Sequence, residues 1–169
     1  MKAEERLRSE LLDLLDGGNA HMGFEEVVAQ FPPEHINSKP PHTPYSMWHF
    51  IEHMRIAQWD ILEFIRNPGH VSPDYPQGYR PDPEEKADKK RWQESVDGFL
   101  ADLDALKALV GDPATDFTAP LPHAPSYNIF REIVLVADHN AYHIGEFAIL
   151  RQVMNIWPPG MAYLTGRPD

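Results

Sequence analysis

Apolar residues along this chain recur at steps of three and four, and clusters of proline interrupt the pattern. Leu7, Leu11 and Leu14 form a first stripe, which stops at Gly17-Gly18. A short apolar piece over 24–30 follows and ends at Pro32-Pro33. Met47, Phe50, Met54, Ala57, Ile61 and Phe64 form the next stripe, behind Ser46 as a candidate N-cap. Trp92, Val96, Phe99, Leu103, Leu106 and Val110 repeat the alternation up to Gly111, and a last stretch over 127–155 is apolar across a wide face.

The 17 prolines fall within 32–44, 68–83, 113–125 and 158–168, leaving Pro-free stretches at 1–31, 45–67, 84–112 and 126–157. Proline breaks helix interiors but suits connections, so the spacing predicts four helical segments and three connections. No period-two run with hairpin turn chemistry stands out, so no strand is expected. The fold class predicted is all-α, a four-helix bundle occupying 1–169 as a single domain. Two connections are longer than a simple up-down bundle needs, which leaves room for crossovers.

Charge and composition narrow the function. With 26 acidic and 15 basic residues the net charge is −11, and no basic stripe gathers on a predicted helix. That argues against nucleic acid or an anionic membrane as partner. The N-terminal residues lack an apolar signal region, and no apolar run approaches a membrane span, so cytoplasm is the expected compartment. The absence of cysteine removes disulfides, thiolate nucleophiles and cysteine-based zinc sites, so any thiol chemistry needs a thiol substrate.

Nine histidines remain to be placed. On a wheel of about 100° per residue with His139 at zero, His143 falls near +40°, among Val136, Leu150 and Phe147 at about +60°, +20° and +80°. Leu135 and Val153 fall near about −40°, and Glu146 near about −20°, on the same face. Two imidazoles at i and i+4 can converge on one ion. In the second segment the apolar face centres about 80° from His53 and about 120° from His49. His53 is therefore expected to reach inward and His49 to point towards solvent. His21, His35, His42, His70 and His123 fall in connections or short pieces and are expected to be solvated. His49-Phe50-Ile51-Glu52-His53 also spells H-x-x-E-H, the pattern of inverted zinc peptidases. Those enzymes need another carboxylate ligand and a larger fold, and Glu52 falls away from the apolar face. Asn140 stands where an H-E-x-x-H motif would carry its glutamate.

The stretch from Pro44 through Ser46 and His53 to Asp60 resembles the second helix of the DinB/YfiT-like superfamily, whose metal-binding histidine follows an aromatic-Ser start by about seven residues. His139 and His143, followed by Gly145-Glu146, resemble that family's C-terminal signature of two histidines one turn apart before a Gly-Gln pair. The resemblance covers nearly the whole chain, through Trp157-Pro158. It implies an up-down-down-up bundle, a site for one divalent metal ion (zinc or nickel) on His53, His139 and His143, and a homodimer. Glu146 departs from the family's usual Gln; it is expected near the ion, as a ligand, as a partner orienting an imidazole, or as a packed polar residue.

Three imidazoles leave coordination positions open, as in catalytic zinc sites. The resemblance implies metal-dependent enzymes that use low-molecular-weight thiols, so a thiol transferase or a related hydrolase or isomerase acting on a small molecule leads. A non-catalytic metal-binding stress-response protein is the alternative, and a purely interacting bundle without metal is a third. Substrate contacts are expected from the connections at 74–80 or 117–126.

Overall fold

The computed structural model describes residues 3–17 and 19–159. Five helices carry the fold: α1 (Ala3–Asp16), α2 (Phe24–Val28), α3 (Met47–Arg66), α4 (Lys89–Gly111) and α5 (Ile129–Val153). Three of the four long helices start on a side-chain cap. Ser46 Oγ accepts from the His49 amide, Asp88 from that of Arg91, and Asn128 from that of Arg131. Each cap satisfies an amide that the first turn leaves unpaired. Gly17, at φ +68°, supplies the left-handed residue that ends α1.

Contacts between side chains fix the helix directions. Trp48 Nε1 donates to Ser95 Oγ near the starts of α3 and α4, and Gln58 Nε2 donates to the Phe99 carbonyl further along, so these helices run parallel. Phe50 meets Phe147 while Asn140 donates to Gln58, so α5 runs antiparallel to α3. Arg8 reaches the Val110 and Asp112 carbonyls while Asp16 pairs with Lys107, so α1 runs antiparallel to α4. The order is up-down-down-up, and the 22 residues between α3 and α4 (67–88) form the crossover that two parallel neighbours require. Phe24 of α2 stacks on Phe99, and Phe31 stacks on Trp92, so the segment after α1 packs against α4.

Three expectations are corrected. On α1 the inward stripe is Arg8, Leu11 and Leu15, while Leu7 and Leu14 are 37% and 47% exposed. Arg8 holds the inward slot because its guanidinium binds the last carbonyls of α4 and lies over Phe117. On α5 the buried stripe runs through Ile133, Val136, Asn140, His143, Phe147 and Arg151. It centres about 100° from His139, so that histidine stands at the edge of the core and Leu135 and Val153 face outward. Ala137 and Ile144 are also buried within the bundle, and Val134 and Ile149 are exposed. Finally, α5 is preceded by a hairpin of β1 (Pro120–Leu121) and β2 (Ala124–Asn128), paired antiparallel. Its strands are too short and too exposed to show an alternating pattern.

Candidate metal centre

The antiparallel crossing of α3 and α5 brings His53, His139 and His143 together, with one ring nitrogen of each within 4.8 Å of the others. His143 is buried, at 8% exposure, and the other two are half-buried. On His53 and His143 the ring nitrogens facing away from the cluster have fixed partners. His53 Nδ1 lies 2.9 Å from the Tyr79 carbonyl, and His143 Nδ1 lies 2.7 Å from Glu146 Oε2. A carbonyl and a carboxylate only accept, so both Nδ1 atoms carry the proton and both Nε2 atoms carry a lone pair.

Those two lone pairs face each other across 3.2 Å. Two neutral imidazoles cannot hydrogen-bond in that arrangement, and a cation between them resolves the conflict. Zinc–imidazole bonds of about 2.0–2.1 Å at a tetrahedral angle would hold two nitrogens about 3.3 Å apart, so the donors fit a transition-metal ion. Protonation is disfavoured. Burial, followed by the neighbouring imidazoles, pushes His139 down to about 4. Burial, followed by the charges of His53 and Arg80, pushes His143 down to about 4. Burial also lowers His53, against the opposing effect of its bond to Tyr79. The three rings are therefore neutral near pH 7, the form that binds metal.

The crossover builds the wall facing the cluster. Asp60, buried on α3, accepts from the Tyr79 hydroxyl and His70 Nε2, both at 2.6 Å. The loop pinned in this way presents the Tyr79 carbonyl to His53. His49 holds the loop at a second point, where Nε2 donates to the Asp82 carbonyl at 3.0 Å while Nδ1 accepts from the Ser46 amide at 3.1 Å. A cavity of about 940 Å³ stands over the cluster, walled largely by Tyr45, Tyr75, Tyr79, Pro44 and Pro76 and carrying Arg80.

The sequence-based site is thus brought together, with Glu146 beside it as an acceptor from His143. His49 is corrected: it is 3% exposed, because the capping box turns its ring under the loop instead of into solvent. Four of the five connection histidines are also bonded rather than free. His21 meets the Met22 carbonyl, His35 meets Ser38, His70 meets Asp60, and His123 meets the Phe64 carbonyl. Only His42 among them is exposed. Glu52 turns to Arg55 and Ser95, away from the cluster, which removes the H-x-x-E-H reading. Of the two connections expected to touch substrate, 74–80 lines the cavity in part and 117–126 does not. Arg80 closes the first of those connections and lines the cavity, whereas the role of Asp60 in holding the loop has no mark in the sequence pattern.

A model of the DinB superfamily matches residues 19–147. The chain belongs to the DinB superfamily. The matched region contains α2 to α4 and every residue of the histidine cluster, and it ends one residue after Glu146. No curated protein and no solved structure matched this DinB-superfamily chain. Among its described residues no helix is long and apolar enough to cross a membrane.

Proposed function

We propose that this protein binds one divalent metal ion, zinc or nickel, through His53, His139 and His143, and acts as a metal-dependent enzyme on a small molecule. Transfer of a low-molecular-weight thiol is the leading chemistry. The observation that carries the reading is the pair of deprotonated Nε2 atoms 3.2 Å apart. Such an ion, held by three imidazoles with positions left open, lowers the pKa of an incoming thiol and polarises a carbonyl.

The chain's own residues supply the rest. Tyr79 and Glu146 hold the His53 and His143 rings in one tautomer and orientation. Aromatic and proline side chains line one side of the cluster. The cavity favours turnover over a purely metal-storing role, because a structural site is closed by its own ligands. Cytoplasm is the compartment we assign, since the chemistry requires a reduced thiol pool.

A homodimer fits the outer face of α5, where Leu135, Tyr142, Ile149 and Val153 form an exposed apolar stripe. The experiment for the main proposal is a matrix of low-molecular-weight thiols, electrophilic acceptors and metals, assayed with metal-loaded and metal-stripped protein. Metal-dependent consumption of thiol is expected. Stoichiometric metal without turnover across the matrix would favour the non-catalytic alternative.

A further inference from the structure

We propose that Arg80 is an anion anchor, and that the cavity over the histidine cluster takes an organic carboxylate with an apolar body. The assignment rests on the metal-centre reading only for which end of that molecule faces the cluster. Arg80 stands immediately after Tyr79, the residue whose carbonyl holds His53, so its position relative to the cluster is set by the same pinned loop. Its guanidinium lies over the Tyr45 ring, 4.8 Å from the centroid, and both residues line the cavity.

Among the described residues Arg80 makes no ion pair, although the chain carries a net charge of −11. Acids around the cavity and the cluster are committed elsewhere. Asp82 accepts from the Glu84 amide at 2.9 Å, and Glu146 is held by His143 and by the Tyr142 hydroxyl. Arg80 and the three histidines line the same cavity.

A guanidinium that lines a cavity without an acid paired to it is matched by an anionic group on the ligand, and an ion held by the histidines would turn that group towards the cluster. A carboxylate fits that position, because the guanidinium fork can bind both its oxygens. The rest of the ligand meets Tyr45, Tyr75, Pro44, Pro76 and Pro81, walls that favour a hydrocarbon or aromatic body. The cavity volume of about 940 Å³ is ample for one small molecule.

The test compares phenylacetate with phenylacetamide, which share a body and differ in charge, by calorimetric titration of the full-length protein. Wild type, Arg80→Gln and Arg80→Lys are each measured metal-loaded and metal-stripped. One charge-assisted contact at an exposed arginine predicts about a tenfold preference for phenylacetate. Arg80→Gln should erase that preference without changing phenylacetamide binding, and Arg80→Lys should retain most of it. The preference should persist in the metal-stripped protein, so failure of the metal reading would not hide it. Equal preference in wild type and Arg80→Gln overturns the proposal. So does a preference that survives Arg80→Gln and vanishes on stripping, since the carboxylate would then sit on the metal. A parallel titration with 3-mercaptopropionate and 2-mercaptoethanol separates the thiol as the source of the carboxylate. An Arg80-dependent preference confined to that pair overturns the apolar-body assignment.

Discussion

Removing the acceptor behind His143 should weaken the metal site while leaving its ligands in place. Glu146 Oε2 lies 2.7 Å from His143 Nδ1, the length of a charge-assisted hydrogen bond. It fixes the tautomer that points Nε2 at the cluster and makes that nitrogen more basic. Partners of this kind are typically worth 10- to 100-fold in metal affinity, or about 1.4–2.7 kcal/mol. The Glu146 side chain is 36% exposed, so solvent screens it and the lower end applies. Glu146→Ala should therefore weaken zinc binding about tenfold. Glu146→Gln keeps an acceptor oxygen and loses the charge; it should cost about threefold and move the pH profile of any activity. Competition against a chromogenic chelator at fixed pH gives both constants directly. If Glu146→Ala binds zinc within twofold of wild type, the carboxylate does not support the ligand and only packs beside it.

The remaining predictions concern protons, the loop and the outer surface. In metal-free protein His139 and His143 have folded-state values of about 4, below the unfolded value of about 6.5. The unfolded chain therefore takes up protons first as pH falls, and stability is lost from about pH 6.5 down to about 4, with no such effect above 6.5. Denaturation of metal-free wild type and His139→Asn across that window should show a shallower loss in the variant; equal slopes would remove the cluster as the cause. Asp60→Asn, which weakens the bonds to Tyr79 and His70, should cost about 1–2 kcal/mol of stability and lower metal affinity through the His53–Tyr79 bond; unchanged affinity would uncouple the loop from the site. His49→Ala should cost about 1–2 kcal/mol through the lost capping box and loop contact while metal content stays full, as measured by denaturation and elemental analysis. If the outer face of α5 is a dimer interface, Ile149→Glu should shift sedimentation at micromolar concentration from twice the 19.3 kDa mass to that mass. A monomeric wild type would reject the dimer.

Proline spacing made the four long helices legible, because a proline removes a helix donor wherever it falls. Ser46 as a cap and Gly111 as the last residue of α4 were equally readable. The helix faces were less so. Arg8 lies outside any apolar stripe, yet its long side chain takes an inward position to bind the carbonyls ending α4. On α5, apolar residues line the outer flank as well as the core, so a wheel weighted by hydrophobicity rotated the stripe towards Leu135 and Val153. His53, His139 and His143 could be chosen because two helical repeats and a family pattern agreed on them. The Tyr79 carbonyl could not, since a backbone oxygen brought in by a 22-residue crossover leaves no mark in the side-chain pattern. His49 was misplaced for a related reason: a capping box uses a side chain to satisfy backbone, and a wheel does not register that bond.

The central claim is that three imidazoles hold one divalent ion, and elemental analysis of purified protein with its histidine variants tests it most directly. Wild type, after exposure to zinc or nickel and removal of free metal, should carry about one ion per chain. His53→Ala, His139→Ala and His143→Ala should each lose most of it while keeping helical circular dichroism, and His49→Ala should retain it. Full occupancy in the His53→Ala variant, or a metal-free wild type after loading, would contradict the account.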